Sequence, residues 1–419
     1  MDEFDVVIVG GGPAGGHCAR RLAKAGCRVL LVERHKNFAI NSFSSAGVPL
    51  EALQQYELPD RVVGAYWREF VVVTSTQKGV WAGPEPRGAV LDFGQLREFL
   101  ATETRSQGGT VWMGWRYVSH QETATGAIVT LKQGTETRLV QTQVVVDATG
   151  PSRAVMATHH PTPPDYLTGV GIEYLIEVDS TTYQRYANAL TFLMGYKWMP
   201  KGYTWVFPMA PNQLKVGAGI IHGDHTVIAT TEPLKTYIQR VITDYLQVTD
   251  YTLIEVHGST LKYSSGLQDI YYQGRTIAIG DAVSTVNFLG GEGIRHGMHS
   301  AEIASEFIQR YLTGAIATFA PYQTEMHRVF RQQWNLCERL CRQVYLREYD
   351  EMVDKVVTYL KPLSREDVVD ILFFYRFEKI SKGLPQYLLR KLRSFKTRLI
   401  ARWRQRSSPA NAISPSGPS

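Results

Sequence analysis

The stretch DVVIVGGGPAGGHCARRLAKAGCRVLLVERH, Asp5 to His35, decides the fold. Val6 to Val9 is a short apolar run of the kind that forms a parallel strand covered on both faces. Gly10, Gly12 and Gly15 then complete G-x-G-x-x-G. In such a loop the first glycine permits a tight turn and the second lets backbone approach a pyrophosphate. The third lets the helix lie close to the strand. The helix is expected from about Pro13 to Ala25, with Pro13 and Ala14 in its first turn, where free N–H groups and the positive end of the dipole favour phosphate. A second apolar run, Arg28 to Val32, leads to Glu33, 18 residues beyond Gly15, where an acid can accept hydrogen bonds from an adenosine ribose. Strand, glycine triplet, helix, strand and acid together define a dinucleotide-binding βαβ unit.

A second segment, RTIAIGDAVSTVNFLGGEGIRHGMHSAEIAS, Arg275 to Ser305, narrows the dinucleotide to FAD. Thr276 to Ile279 reads as a buried strand, and Gly280-Asp281 follows at its C-terminal end, where ligands of open α/β sheets sit. Asp281 is suited to the hydroxyls of a ribityl chain; its alternative role is to cap a turn. Gly290, Gly291 and Gly293 precede a helix expected over Ile294 to Tyr311, whose positive end can stabilise negative charge on a reduced flavin. Between the two segments, VVVDATGPSRAV, Val144 to Val155, supplies another strand of the same sheet, ending near Gly150.

The most specific motif is PKGYTWVFP, Pro200 to Pro208. In a strand, Tyr203, Trp205 and Phe207 fall on one face and make an apolar wall; the tyrosine and indole polar atoms need partners. An ordinary aromatic core strand would read the same way. The three segments, in this order, resemble the superfamily of aromatic hydroxylases and related flavoproteins. Within it the chain is most similar to the geranylgeranyl reductase family, which carries Pro-x-x-Tyr-x-Trp-x-Phe-Pro; Pro200, Tyr203, Trp205, Phe207 and Pro208 all match. The likeness spans roughly residues 1 to 330.

The resemblance implies an α/β protein: a Rossmann-like FAD-binding domain (about 1–55, 90–155 and 265–320) interleaved with a mostly antiparallel-sheet substrate domain (56–89 and 156–264); beyond them the sequence itself reads as C-terminal helices (321–406) and a disordered tail (407–419). It implies reduction of carbon–carbon double bonds in a polyprenyl chain by hydride transfer from reduced flavin, with Tyr203, Trp205 and Phe207 against the substrate and Tyr203 as the candidate proton donor. Arg34, Ala46, Gly47, Val118 and Ile294 join the candidate cofactor contacts. Two features depart from the family. Many members have Cys-Gly-Gly after the ribose-binding acid, whereas Asn41 to Leu53 reads NSFSSAGVPLEAL and holds no cysteine. Many also place an arginine near Phe93; here Arg97 lies one helical turn on. Only one dinucleotide fingerprint is present, so electrons are expected from transiently bound NAD(P)H or from a carrier protein such as ferredoxin. The alternatives are an FAD-dependent monooxygenase or halogenase of the same superfamily and a non-catalytic flavin-binding partner protein.

Composition agrees with a globular protein: 419 residues, 44% hydrophobic and 20% charged. No apolar run approaches membrane-span length, and the first strand begins within five residues, so no leader is expected. The four cysteines show no metal-site spacing, and no metal is expected. A reducing cytoplasm suits that usage. Charge is uneven. Arg376 to Arg406 holds eleven Lys or Arg against Glu378 alone, a local +10 in a chain of +6. Leu388, Leu392, Phe395, Leu399 and Trp403 recur there at helical spacing, the form of a helix lying on an anionic membrane surface. The expected location is therefore cytoplasmic, peripheral at the cytoplasmic face of a membrane. A solvated helix packed on its own domain is the alternative, and no fold supports nucleic-acid binding.

Overall fold

A computed structural model describes residues 1–40, 44–158, 166–209, 211–222, 232–346 and 350–383. The first βαβ unit forms as its sequence requires. The strand Asp2–Val9 leads through the glycine loop into the helix Pro13–Lys24 and on to the strand Val29–Glu33. Val6 to Ile8 and Leu30 to Leu31 have no exposed surface, which is why these runs carry no polar alternation.

These strands sit in an eight-stranded sheet whose central path runs Tyr272–Gln273, Thr276–Ala278, Glu136–Asp147, Asp2–Val9, Val29–Glu33, Thr110–Met113. All pairings along this path are parallel except that of Tyr272–Gln273 with Thr276–Ala278. The register aligns the strand ends: Val9 faces Val32 on one side and Asp147 on the other, and Asp147 faces Ala278. Gly10, Glu33, Ala148 and Ile279 therefore leave the sheet along one edge. The helix Pro13–Lys24 packs between Phe93–Ser106 and Ile294–Leu312. Gly16 permits the first contact, because a Cβ there would lie 2.9 Å from that of Leu100.

A seven-stranded sheet runs Thr252–Ser264, Tyr166–Glu177, Gln213–His222, Met199–Met209, Ala189–Gly195, Glu69–Val73, Lys78–Ala82. It is antiparallel except between Ala189–Gly195 and Glu69–Val73. A small sheet, Gly47–Pro49, Gly88–Leu91, Val63–Trp67, packs against the strand Met199–Met209 of the seven-stranded sheet. The mixed α/β class expected from the sequence is what is found.

The C-terminal helices fold back on the seven-stranded sheet and the small sheet. Gln332–Tyr345 touches the PKGYTWVFP strand, Glu351–Leu360 touches Lys78–Ala82, and Arg365–Phe373 touches Gly47–Pro49 and Glu69–Val73. Phe373 stacks on fully buried Trp67 at 5.7 Å, and the Trp81 indole donates to the Leu360 carbonyl at 3.2 Å. These contacts make the arm part of the core. The expected disordered tail and most of the basic amphipathic segment lie outside the described residues.

Candidate flavin and substrate site

The C-terminal edge of the large sheet opens into a cavity of about 840 Å³. The three glycines there do three different jobs. Gly10 has φ +111°, and a Cβ on it would run into the Ala148 carbonyl. A Cβ on Gly12 would meet nothing within 4 Å, so its backbone faces open space. A Cβ on Gly15 would collide with the Gly10 carbonyl, so Gly15 supports the loop from behind while Gly10, Gly12, Pro13 and Ala14 line the cavity.

Glu33 closes one end. Its Oε2 accepts from the Gly11 N–H at 2.9 Å and its Oε1 from the His35 N–H at 2.9 Å. Arg97 Nη2 lies 3.3 Å from Oε2, and Arg97 Nε donates to the Gly11 carbonyl at 3.1 Å. Both side chains are buried yet line the cavity, as does Arg34. A carboxylate with two oxygens retains acceptor sites after these bonds. Arg97, the arginine one helical turn beyond Phe93, is thus tied to Glu33 and to the glycine loop.

The opposite end holds Asp281, Gly291, Gly293 and Ile294, with Gly150, Ala46 and Gly47 between. Ala46 and Gly291 adopt positive φ, +53° and +67°. Burial pushes the Asp281 carboxyl above its ordinary range, with Arg153 pulling it back. The helix Ile294–Leu312 starts at Gly293 with no side-chain cap, leaving its first N–H groups for a ligand. Asp147, passed over in the sequence, is buried and accepts from the N–H groups of Thr149, Val155 and Met156 at 2.9–3.0 Å, which shapes the turn through Gly150. Only its place at a strand end pointed to it.

Tyr203, Trp205 and Phe207 line the same cavity, one face of one strand as expected. Phe192 packs between Tyr203 and Phe207, at 5.7 and 5.2 Å. The polar atoms have partners: Tyr203 Oη donates to the Gly290 carbonyl at 3.2 Å and Trp205 Nε1 to Glu173 Oε2 at 2.7 Å. Burial raises the Glu173 carboxyl, against the pull of Lys215 and the indole. Gly217 leaves the space that the Trp205 ring occupies. Further apolar wall comes from the C-terminal arm, including Val344, Leu360, Ile371, Phe373, Phe377 and Ile380. Sequence reasoning missed these residues, because ordinary helical apolar spacing does not distinguish a core face from a cavity wall.

One expectation is corrected. Val118 does not line the cavity; its side chain is 45% exposed. Strand alternation turns Tyr117 inward and Val118 outward, and Trp115 to Tyr117 form the wall there. Among the described residues no cluster of metal-ligating side chains occurs, and no helix is long and apolar enough to cross a membrane.

An open glycine cradle, an acid at one end, an aspartate and a bare helix start at the other fit a flavin dinucleotide laid across the sheet edge. These features define an FAD-dependent oxidoreductase. Residues 5–162 match the FAD dependent oxidoreductase family and residues 171–260 the geranylgeranyl reductase catalytic domain. The chain is 30% identical over 330 residues to a digeranylgeranylglycerophospholipid reductase of Haloferax volcanii, covering 75% of this chain and 78% of that protein. It superposes on the crystal structure of a geranylgeranyl bacteriochlorophyll reductase-like protein from Thermoplasma acidophilum with a TM-score of 0.79 at 18% identity, over 95% and 99% of the two chains. A myxobacterial chondrochloren halogenase superposes with a TM-score of 0.64 at 15% identity, over 93% and 97%. The chain belongs to the geranylgeranyl reductase family.

Two expectations follow. Gly12→Val places a side chain in open cradle space, so the protein should fold, by circular dichroism, yet purify colourless. Gly15→Val drives backbone against backbone and should lower the melting temperature as well. A yellow Gly12→Val protein would contradict this assignment. The second concerns acid. Burial alone would raise the Glu292 carboxyl, but His296 and Arg295 outweigh it and hold it at about 2, against 4.5 when free. A depressed folded value means stability is present above 4.5 and lost as pH falls towards 2. Burial also holds the His296 ring below its ordinary 6.5, so the unfolded chain takes up that proton first and stability begins to fall below 6.5. Melting temperature should therefore decline from pH 6.5 downward, and Glu292→Gln should flatten the part below 4.5.

Proposed function

We propose that this enzyme reduces carbon–carbon double bonds of a geranylgeranyl-type chain carried on a membrane lipid, the substrate class in the names of its relatives. The observation that carries the reading is continuity: the glycine cradle and the aromatic wall border one cavity, and the wall continues along the apolar C-terminal arm. A polyprenyl chain offers only apolar surface and double bonds, and this half of the cavity offers matching surface. Bound FAD, once reduced, supplies the hydride. The chain's own residues place the alkene, exclude water and supply the proton, since an isolated alkene is a poor acceptor that must be held close and oriented. Tyr203 Oη is the candidate proton donor. Its proton rests on the Gly290 carbonyl until it is delivered, and burial pushes the phenol up, so it holds that proton at neutral pH. Electrons reach the flavin from NAD(P)H bound in passing or from a ferredoxin-type carrier, since the sequence holds one dinucleotide fingerprint.

The lipid-surface reading rests on residues 384–406. The three earlier cations are already committed: Arg376 pairs with Asp370, Lys379 with Asp367 and Asp370, and Lys382 with Asp367. Eight Lys or Arg remain beyond Gly383. Phe377 and Ile380, which line the cavity, lie just before them, so a membrane-seated segment would hold the chain-binding wall near the lipid.

Anaerobic incubation of the dithionite-reduced protein with a digeranylgeranyl glycerophospholipid tests the reaction. The product should gain the mass of two hydrogens per reduced bond; consumption of substrate only when oxygen is admitted would replace this reading with a monooxygenase or halogenase. For the surface reading, truncation after Gly383 should leave FAD bound while abolishing co-sedimentation with phosphatidylglycerol vesicles. Full-length protein that stays in the supernatant would refute it.

A further inference from the structure

The loop Asn287–Gly293, between the late strand and the helix Ile294–Leu312, is held from the substrate side by three phenols on three different elements. Tyr203 Oη donates to the Gly290 carbonyl at 3.2 Å. Tyr345, at the end of the helix Gln332–Tyr345, donates to the Leu289 carbonyl at 3.0 Å. Tyr375, following the helix Arg365–Phe373, donates to Glu292 Oε2 at 2.9 Å. From the other side Asn287 closes the loop: its carbonyl accepts from the Gly291 N–H at 2.8 Å and its Oδ1 from the Leu289 N–H at 3.1 Å. Glu292, which lines the cavity, is further neutralised by Arg295 at 2.7 Å and has the His296 ring at 3.3 Å.

The Leu289 and Gly290 carbonyls thus point to tyrosines, and the N–H groups of Leu289, Gly290 and Gly291 are taken by Asn287. The donors that remain at the uncapped start of Ile294–Leu312 are fixed in direction by that clamp. A donor set held rigid before charge develops stabilises the charge more than one that must reorganise. Two of the phenols come from the C-terminal arm, which also forms the apolar wall. We propose that Tyr345 and Tyr375 are positioning residues for the flavin: through the Leu289 carbonyl and Glu292 they set the loop that stabilises reduced FAD.

A purely structural role would alter stability and leave the flavin's redox balance alone, so the test reads the midpoint potential of purified holoenzyme without substrate. Tyr345→Phe and Tyr375→Phe each remove one hydroxyl while keeping the ring. Each should retain FAD but favour the reduced cofactor less, by about tenfold, equal to about 30 mV for a two-electron couple. The flavin absorption bands should shift with it. Tyr186→Phe, which removes a comparable phenol–carbonyl bond to Tyr245 far from the cavity, serves as control and should leave the potential unchanged. Potentials equal to wild type in both variants would overturn the proposal. So would failure of both to fold, which would make the hydroxyls supports of the core.

Discussion

The Gly10 carbonyl oxygen occupies the space where a side chain at position 15 would begin. This backbone contact lets the helix Pro13–Lys24 start directly beneath the loop, so that its positive end reaches the cavity. Gly10 itself stands against Ala148, the first residue past the strand Glu136–Asp147. Two absent methyl groups therefore bring three chain crossings into contact at the sheet edge. The cradle, the position of Glu33 and the turn through Gly150 all follow from that closeness.

What the cradle binds is decided by what is built over it. The seven-stranded sheet contributes an aromatic face whose polar atoms are turned aside: Trp205 donates to buried Glu173 and Tyr203 to Gly290. With those atoms occupied, the rings present hydrocarbon to the cavity. Glu173 is costly to bury and is kept by the indole bond and by Lys215, which in turn donates to the Ser44 and Leu91 carbonyls at 2.8 and 3.3 Å. The same buried polar chain that orients the tryptophan thus pins the segment leading into Ala46 and Gly47, where the family often has cysteine. An apolar wall and the flavin-side turn share one set of hydrogen bonds.

Much of this was legible in the sequence, and the reasons are physical. The glycines, Glu33, Asp281 and the aromatic triplet are single residues whose chemistry is hard to replace, so a local pattern exposes them. The helix and second-strand limits in the nucleotide unit agree to within a residue, because apolar runs and glycine breaks mark them sharply, whereas the first strand begins at Asp2, four residues before the apolar run at Val6. Arg97 was less legible: its role depends on a helix packing across the glycine loop, a long-range contact that spacing does not encode. Val118 failed for a related reason, since without the register the inward side of Arg116–Glu122 is undetermined. The C-terminal arm was invisible as a site because its apolar residues look like any helix core.

That arm changes how the enzyme should be viewed. A cavity wall made of late helices could have been an independent lid, yet Phe373 stacks on Trp67, Trp81 reaches the Leu360 carbonyl, and Tyr375 holds Glu292. Each bond ends on a different layer: the small sheet, the substrate sheet and the flavin loop. Displacing the arm would expose Trp67 and leave the buried Glu292–Arg295–His296 group without one of its donors, and stranding a buried charge is far costlier than losing a surface pair. The apolar wall and the loop Asn287–Gly293 are consequently one mechanical unit, so that the residues proposed to meet a long apolar chain are bonded to those proposed to set the surroundings of the cofactor.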